Sequence, residues 1–254
     1  MKIIISPAKK MNIDTDTLPV EGLPVFQKET EKIMHWMKQL TFEESKKLWN
    51  CNEKLAELNY NRFQKMDLDN NLTPALLSYE GIQYQYMAPG VFTRKEWDYV
   101  QQHLRILSGF YGVLKPFDGV VPYRLEMQAK ANISGTKNLY EFWGDKLYGE
   151  ILDEDRTILN LASKEYSKCI EKYLKPEDTF LTCILGEWKS NKVIQKGTQA
   201  KMARGEMVRF MAEKGIENLE DLKYFNRLDY CFREDLSSEK EYIFIKENSR
   251  ECYE

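Results

Sequence analysis

A hydroxyl group and two ammonium groups follow a short buried strand at the start of the chain. Residues 3–5 are three consecutive isoleucines, which is typical of a fully buried strand. Pro7 cannot donate to a sheet ladder, so the strand should end before it. The turn that follows carries Ser6, Lys9 and Lys10, and the buried strand before it holds the turn rigidly. It is either a plain strand end with solvated lysines or one wall of a site, where a lysine holds phosphate or, if desolvated, acts as a nucleophile.

A second set of cations lies on a helix predicted over residues 197–211. Its apolar residues recur at helical spacing, which leaves Lys201 and Arg204 together on the other side. Gly205 lies beside them and costs about 1 kcal/mol relative to alanine within a helix. It permits close approach either by a ligand or by another backbone. Arg209 continues the basic character of this segment, which can bind polyanions although the whole chain is acidic.

Arg124 and Glu126 alternate with apolar residues over residues 121–127, next to Tyr123. This alternation predicts a half-buried strand with one polar face. The two charged side chains can pair with each other or flank a ligand, and the spacing leaves both interpretations open.

Two further segments are candidates for binding an anion. Gly109 and Gly112 frame a turn followed by Lys115, which could offer backbone N–H groups to a phosphate and loosely matches the hairpin of a helix-hairpin-helix motif. Farther along, Asn160 ends a predicted strand, and Ser163 should cap the helix that contains Tyr166. Ser163 is either an ordinary N-cap or part of an anion site.

The predicted secondary structure mixes helices and strands without regular βαβ alternation. Helices are expected from Pro24 and after the capping boxes that begin at Thr41 and Thr93, and Asn138 should cap another. Strands are expected at residues 104–107, 157–162, 179–185 and 192–195, with a closing strand pair at residues 228–233 and 241–246. We therefore expect one α+β domain spanning residues 1–254.

Composition excludes several classes of protein. With 254 residues, 43% hydrophobic and 30% charged, the chain is typical of a globular protein with a substantial core. No apolar run approaches the roughly 20 residues that span a bilayer, so we expect a cytoplasmic protein. Five scattered cysteines and two histidines predict free thiols, no dedicated metal site, no cofactor and no Cys-His or Ser-His-Asp catalytic set.

These segments together resemble the YaaA family of peroxide stress resistance proteins. The matching strings run in the same order along essentially the whole chain: IIISPAK (3–9), LRILSGFYGVLKPFD (104–118), PYRLEM (122–127), LYEFWGDK (139–146), LNLASKEY (159–166), KMARGEMVRFM (201–211) and FREDLSSEKEYIFIK (232–246).

The resemblance implies a mixed α and β fold particular to the family, with a positively charged cleft and a helix-hairpin-helix-like element. It implies binding to duplex, bubbled or branched DNA, and protection against hydrogen peroxide linked to DNA repair and to limiting free iron. It assigns no catalytic residue. The candidate cleft or DNA-binding residues are Ser6, Lys9, Lys10, Gly109, Gly112, Lys115, Tyr123, Arg124, Glu126, Asn160, Ser163, Tyr166, Lys201, Arg204 and Arg209.

The sequence is compatible with two functions. The first is a DNA-binding protein that neutralises phosphates with little base readout. The alternative is an enzyme acting on damaged DNA or on a nucleotide-like substrate, with Lys9, Arg124 and Glu126 in one pocket. Convergence of these residues with Lys201 would favour the enzyme. Direct handling of iron is disfavoured by the poor set of soft ligands.

Overall fold

The run of three isoleucines lies in the middle of the main sheet. The computed structural model describes residues 1–246, and Cys252 lies outside them. The strands are β1 (Lys2–Ile5), β2 (Lys10–Met11), β3 (Thr73–Pro74), β4 (Tyr79–Glu80), β5 (Leu104–Ser108), β6 (Gly112–Leu114), β7 (Gly119–Val120), β8 (Thr157–Asn160), β9 (Thr179–Lys189), β10 (Lys192–Ile194), β11 (Tyr230–Phe232) and β12 (Glu241–Lys246).

Helices connect and cover these strands. The α-helices are α1 (Gln27–Gln39), α2 (Phe42–Trp49), α3 (Glu53–Gln64), α4 (Ala75–Ser78), α5 (Ile82–Met87), α6 (Arg94–His103), α7 (Leu139–Trp143), α8 (Lys146–Ile151), α9 (Lys164–Glu171) and α10 (Gly197–Lys214). Short 3-10 helices occur at Pro89–Val91, Leu219–Tyr224, Arg227–Asp229 and Glu234–Leu236.

The main sheet has the strand order β11-β12-β9-β8-β1-β5-β6, with β10 paired to β9. Neighbours from β12 to β5 run parallel, whereas β6, β10 and β11 join antiparallel. The prediction of an α+β fold was therefore too coarse. Helices and strands are mixed as expected, but the sheet is mainly parallel, because the crossovers that pair β1 with β5 and β8 leave no pattern in local sequence.

The chain order around β1 creates a crevice at one edge of this sheet. Ile5 pairs with Ile106 on β5, and Ile4 pairs with Asn160 on β8. After β1, the chain next joins the main sheet at β5, on one side of β1. After β8, it next joins the sheet at β9, on the far side of β8 from β1. The two connections diverge, which makes this a topological switch point, where open sheets of this kind bind ligands.

The local signals for helix starts are confirmed. Thr41 and Thr93 form complete capping boxes with Glu44 and Glu96, and the side chain of Asn138 caps α7. The predicted closing pair is the antiparallel pair β11–β12.

Other local expectations differ from the structure. Residues 121–127 carry no strand, because the segment packs beside the sheet without a ladder partner. Cys51, Cys169 and Cys183 are free thiols, whereas Cys231 is disulfide-bonded, so the expectation of free thiols fails there. Within residues 1–246, no helix is long and apolar enough to cross a membrane.

Candidate functional site

A cavity of about 410 Å³ opens where β1 and β8 end at the switch point. The turn after β1 forms one wall, the segment 123–126 a second, and α10 with the start of α5 a third. The predicted site residues that line it are Ser6, Lys9, Lys10, Tyr123, Arg124, Glu126, Ser163, Tyr166, Lys201 and Arg204.

A hydrogen-bonded serine pair closes the floor between the two strand ends. The Ser163 backbone N–H donates to Ser6 Oγ at 2.9 Å, and the two Oγ atoms lie 3.2 Å apart. The Tyr84 hydroxyl donates to the Ser6 carbonyl oxygen at 3.0 Å. Ser163 is the N-cap residue of α9, as predicted, but its side chain makes no capping hydrogen bond to the helix and contacts Ser6 instead.

Glu126 is shared by two cations. Its Oε1 lies 2.9 Å from Lys9 Nζ and 3.4 Å from Arg124 NH2. The Lys9 side chain is 64% exposed, so it is not the buried lysine that the sequence led us to consider. At the opposite rim Lys10 Nζ pairs with Glu80 at 2.6 Å.

Two arginines in the cavity lack acceptors to match their donors. Arg124 is 10% exposed, and its guanidinium has only the 3.4 Å contact with Glu126 within the described residues. The guanidinium of Arg204 has no hydrogen bond or ion pair to any part of the chain that the structure describes, and burial lowers its pKa. In each guanidinium the Nε–H group is buried without an acceptor among the described residues, and leaving a buried donor unpaired is costly. The arrangement is therefore suited to an anion.

Tyrosines form the inner wall. The Tyr123 hydroxyl lies 2.6 Å from Ser108 Oγ and 2.8 Å from the Tyr79 hydroxyl. Burial raises the pKa of Tyr123 to about 12 and raises that of Tyr166 well above its ordinary value. Both stay protonated at neutral pH, so they serve as neutral walls rather than as bases.

Sequence reasoning missed several residues of this cavity. Gln83 and Tyr84 come from α5, a segment without a motif, and enter only because α5 packs against α10. Glu165 also lines the cavity and accepts the Gln128 backbone N–H at 3.2 Å. Burial, and to a lesser degree the nearby Glu126 carboxylate, raise the pKa of Glu165. Its position two residues after Ser163, a predicted site residue, was the one feature of the sequence that could have identified Glu165 as part of the site.

The glycine-framed turn is a buried β-turn. It joins β5 to β6, and Gly112 has a φ of +76°, which favours glycine. A Cβ on Gly109 would lie 2.7 Å from the Leu125 carbonyl oxygen. The turn supports the segment that carries Arg124. It is buried between two strands, and its Phe110 and Tyr111 N–H groups donate to Ser108 Oγ, so the structure does not show the predicted phosphate contact or a helix-hairpin-helix here.

Three predicted cleft residues lie elsewhere. Lys115 is exposed in a groove beside Arg105. Asn160 bonds to Thr182 Oγ1 at 3.2 Å, and Arg209 Nε pairs with Glu213 at 2.8 Å, one helical turn along α10. Arg209 lies five residues after Arg204, and the helical period therefore directs its side chain away from the cavity that Arg204 lines.

Gly205 is a packing glycine. A Cβ at this position would lie 2.1 Å from the Gln83 carbonyl oxygen and 2.9 Å from Met87 N. The missing side chain lets α10 cross closely over α5, and this crossing brings Lys201 and Arg204 to the cavity.

Comparison with known proteins gives a consistent result over the whole length. The sequence profile described as "Peroxide stress protein YaaA" matches residues 1–236. The chain is 62% identical to a UPF0246 protein of Agathobacter rectalis over 96% of this chain and 98% of that protein. It is 56% identical to a UPF0246 protein of Pediococcus pentosaceus over 97% of this chain and 98% of that protein. This chain therefore belongs to the YaaA family of peroxide stress proteins.

Proposed function

We propose that this protein acts in the peroxide stress response by binding DNA through the cationic cavity. The observation that carries this proposal is the pair of arginines, Arg124 and Arg204, whose buried Nε–H groups lack acceptors within the described chain. A phosphate accepts several such bonds at once and supplies the missing charge. Lys201 adds an exposed ammonium group on the same face of α10.

The balance of charge in the cavity agrees with a polyanionic ligand. Of the residues that the structure describes, five basic side chains and three carboxylates line it. Two of the carboxylates, Glu80 and Glu126, are already held by Lys10 and Lys9. Exposed ion pairs of this kind are worth about 0–1 kcal/mol, so a phosphate can displace them at small cost.

The test is a binding panel at two salt concentrations with duplex, bubbled, branched and single-stranded DNA. Phosphate neutralisation predicts affinity that falls steeply with salt for every form that binds. A flat response to salt, or no binding to any form, would remove the proposal. Preferential binding of bubbled or branched forms would locate the unpaired region as the preferred ligand.

A second candidate function is an enzyme on damaged DNA or on a nucleotide-like substrate. Lys9, Arg124, Glu126 and Lys201 do converge in one cavity, which is the geometry that favours this alternative. In a lyase, the Lys9 amine would condense with the C1′ aldehyde of an abasic site, releasing water and forming an imine. Borohydride would reduce that imine to a stable covalent adduct. Failure to trap an adduct with wild-type protein on abasic DNA would exclude this chemistry while leaving DNA binding intact.

A further inference from the structure

A second cavity of about 660 Å³ adjoins the cationic one. The two share Lys9 and Glu126, so the ion pair between these residues forms their common wall. The remaining wall comes from α1, α2 and the segment after Glu126. Aromatic and aliphatic side chains from α1 and α2 line one side of the second cavity.

Two tryptophans define the chemistry of the second cavity. Trp36, on α1, is half-buried, and Trp49, at the end of α2, is 5% exposed and stacks on Phe63. Leu40 and Leu48 complete the apolar wall. A flat heteroaromatic ring can stack on a half-buried indole such as that of Trp36 without regard to sequence, since every nucleobase has a π-face.

Trp49, which lines this cavity, also has an unmet hydrogen-bond donor. The indole N–H of Trp49 is buried and has no acceptor among residues 1–246. Buried tryptophan N–H groups usually have a partner. Nucleobases present ring nitrogens and carbonyl oxygens that accept such a bond. Lys47 and Lys130 at the rim are suited to the phosphates that flank a base.

The common wall can be crossed by one ligand. The Lys9–Glu126 pair is exposed on the Lys9 side, and its opening costs little. An anionic group that replaced the Glu126 carboxylate between Lys9 and Arg124 would lie at the boundary of the two cavities.

We propose that the second cavity binds the base of an unpaired nucleotide whose phosphate lies in the cationic cavity. This inference rests on the proposed DNA binding and extends it. It predicts that DNA with unpaired regions is preferred, because a base inside a duplex stack cannot reach Trp36.

Mononucleotides test the base site without DNA. Wild-type protein should bind deoxyadenosine 5′-monophosphate about tenfold more tightly than deoxyribose 5-phosphate, the contribution of one stacked base. Trp36→Ala should reduce this ratio to about threefold or less, and Trp36→Phe should restore most of it. The matched control is Trp188→Ala, which removes an indole that is 45% exposed on the β9–β10 hairpin. Equal binding of the two ligands by wild-type protein would overturn the inference.

A DNA experiment separates this inference from the proposed function. Perfect duplex is compared with the same duplex carrying a one-nucleotide bulge, for wild type, Trp36→Ala and Trp36→Phe. The inference predicts that Trp36→Ala loses the preference for the bulge while its salt-dependent binding to duplex is retained. An unchanged preference in a folded Trp36→Ala protein would overturn the base site and leave DNA binding standing. If wild-type protein showed no salt-dependent binding to DNA, the proposed function would be overturned. The mononucleotide comparison would still test the base site in that case.

Discussion

Replacing Lys201 and Arg204, the two cations of α10 that line the cavity, should flatten the salt dependence of DNA binding. Lys201 and Arg204 have no carboxylate partner among the described residues, so each is available to neutralise one phosphate. Each contact contributes about 0.9 to the slope of log K against log salt on duplex DNA, so Lys201→Gln with Arg204→Gln should reduce the slope by about 1.8. Between 50 and 200 mM salt, the wild type should therefore lose roughly twelvefold more affinity than the variant.

Fluorescence anisotropy of a labelled duplex over a salt series measures both slopes. The matched control is Arg209→Gln with Lys214→Gln, which removes the same charge from the same helix. Arg209 is paired with Glu213, and both residues lie away from the cavity lining. Equal slopes for wild type and the Lys201/Arg204 variant, with unchanged circular dichroism, would refute the reasoning. Equal flattening by both variants would show that net charge rather than the cavity governs binding.

Three other predictions follow from the packing and electrostatics of single residues. Gly205→Ala should lower the free energy of unfolding in urea by about 1–3 kcal/mol or more, because the added Cβ would clash with backbone atoms of α5. Gly197→Ala is the control, because a Cβ there has open space and should be neutral or slightly stabilising. Equal stabilities of the two variants would contradict the close crossing of α10 and α5. Burial raises the pKa of Asp118 in the folded protein to about 6, from 3.8 in the unfolded chain. Between these two pH values the folded protein holds a proton that the unfolded chain has lost. The free energy of unfolding should therefore fall by up to about 3 kcal/mol as the pH rises from 3.8 to 6. Asp118→Asn should abolish this decline in thermal or urea unfolding. An unchanged pH profile would show that Asp118 does not cause it. Glu126→Gln removes the acid between two cations and should tighten DNA binding about fivefold at low salt, whereas weaker binding would show that Glu126 positions the cations rather than competing with phosphate.

The features that sequence predicted well are governed by neighbouring residues. The capping boxes at Thr41 and Thr93 join groups three residues apart, and a run of β-branched residues is enough to indicate β1. Lys201 and Arg204 share a face by helical period alone. Family membership was also accessible, since ordered strings along the chain carry it.

The failures concern contacts between distant segments. Ser163 has an ideal N-cap position, yet its hydroxyl faces Ser6, 157 residues away. The turn at Gly109 and Gly112 has a composition suited to phosphate, yet it is buried because it supports the segment of Arg124. Local composition is the same for a turn that is exposed and for one that is covered.

By itself, the sequence determined which residues could form a cationic site and which short elements carry them, because propensity, capping and period act within a few residues. Only the tertiary structure decided that β1 lies between β5 and β8, that Gly205 admits α5 against α10, and that Lys9 is paired and exposed. These outcomes depend on the pairing and packing of segments far apart in the chain, which the whole core selects at once. That packing turned Ser6–Lys10 from a strand end into the wall of a cavity.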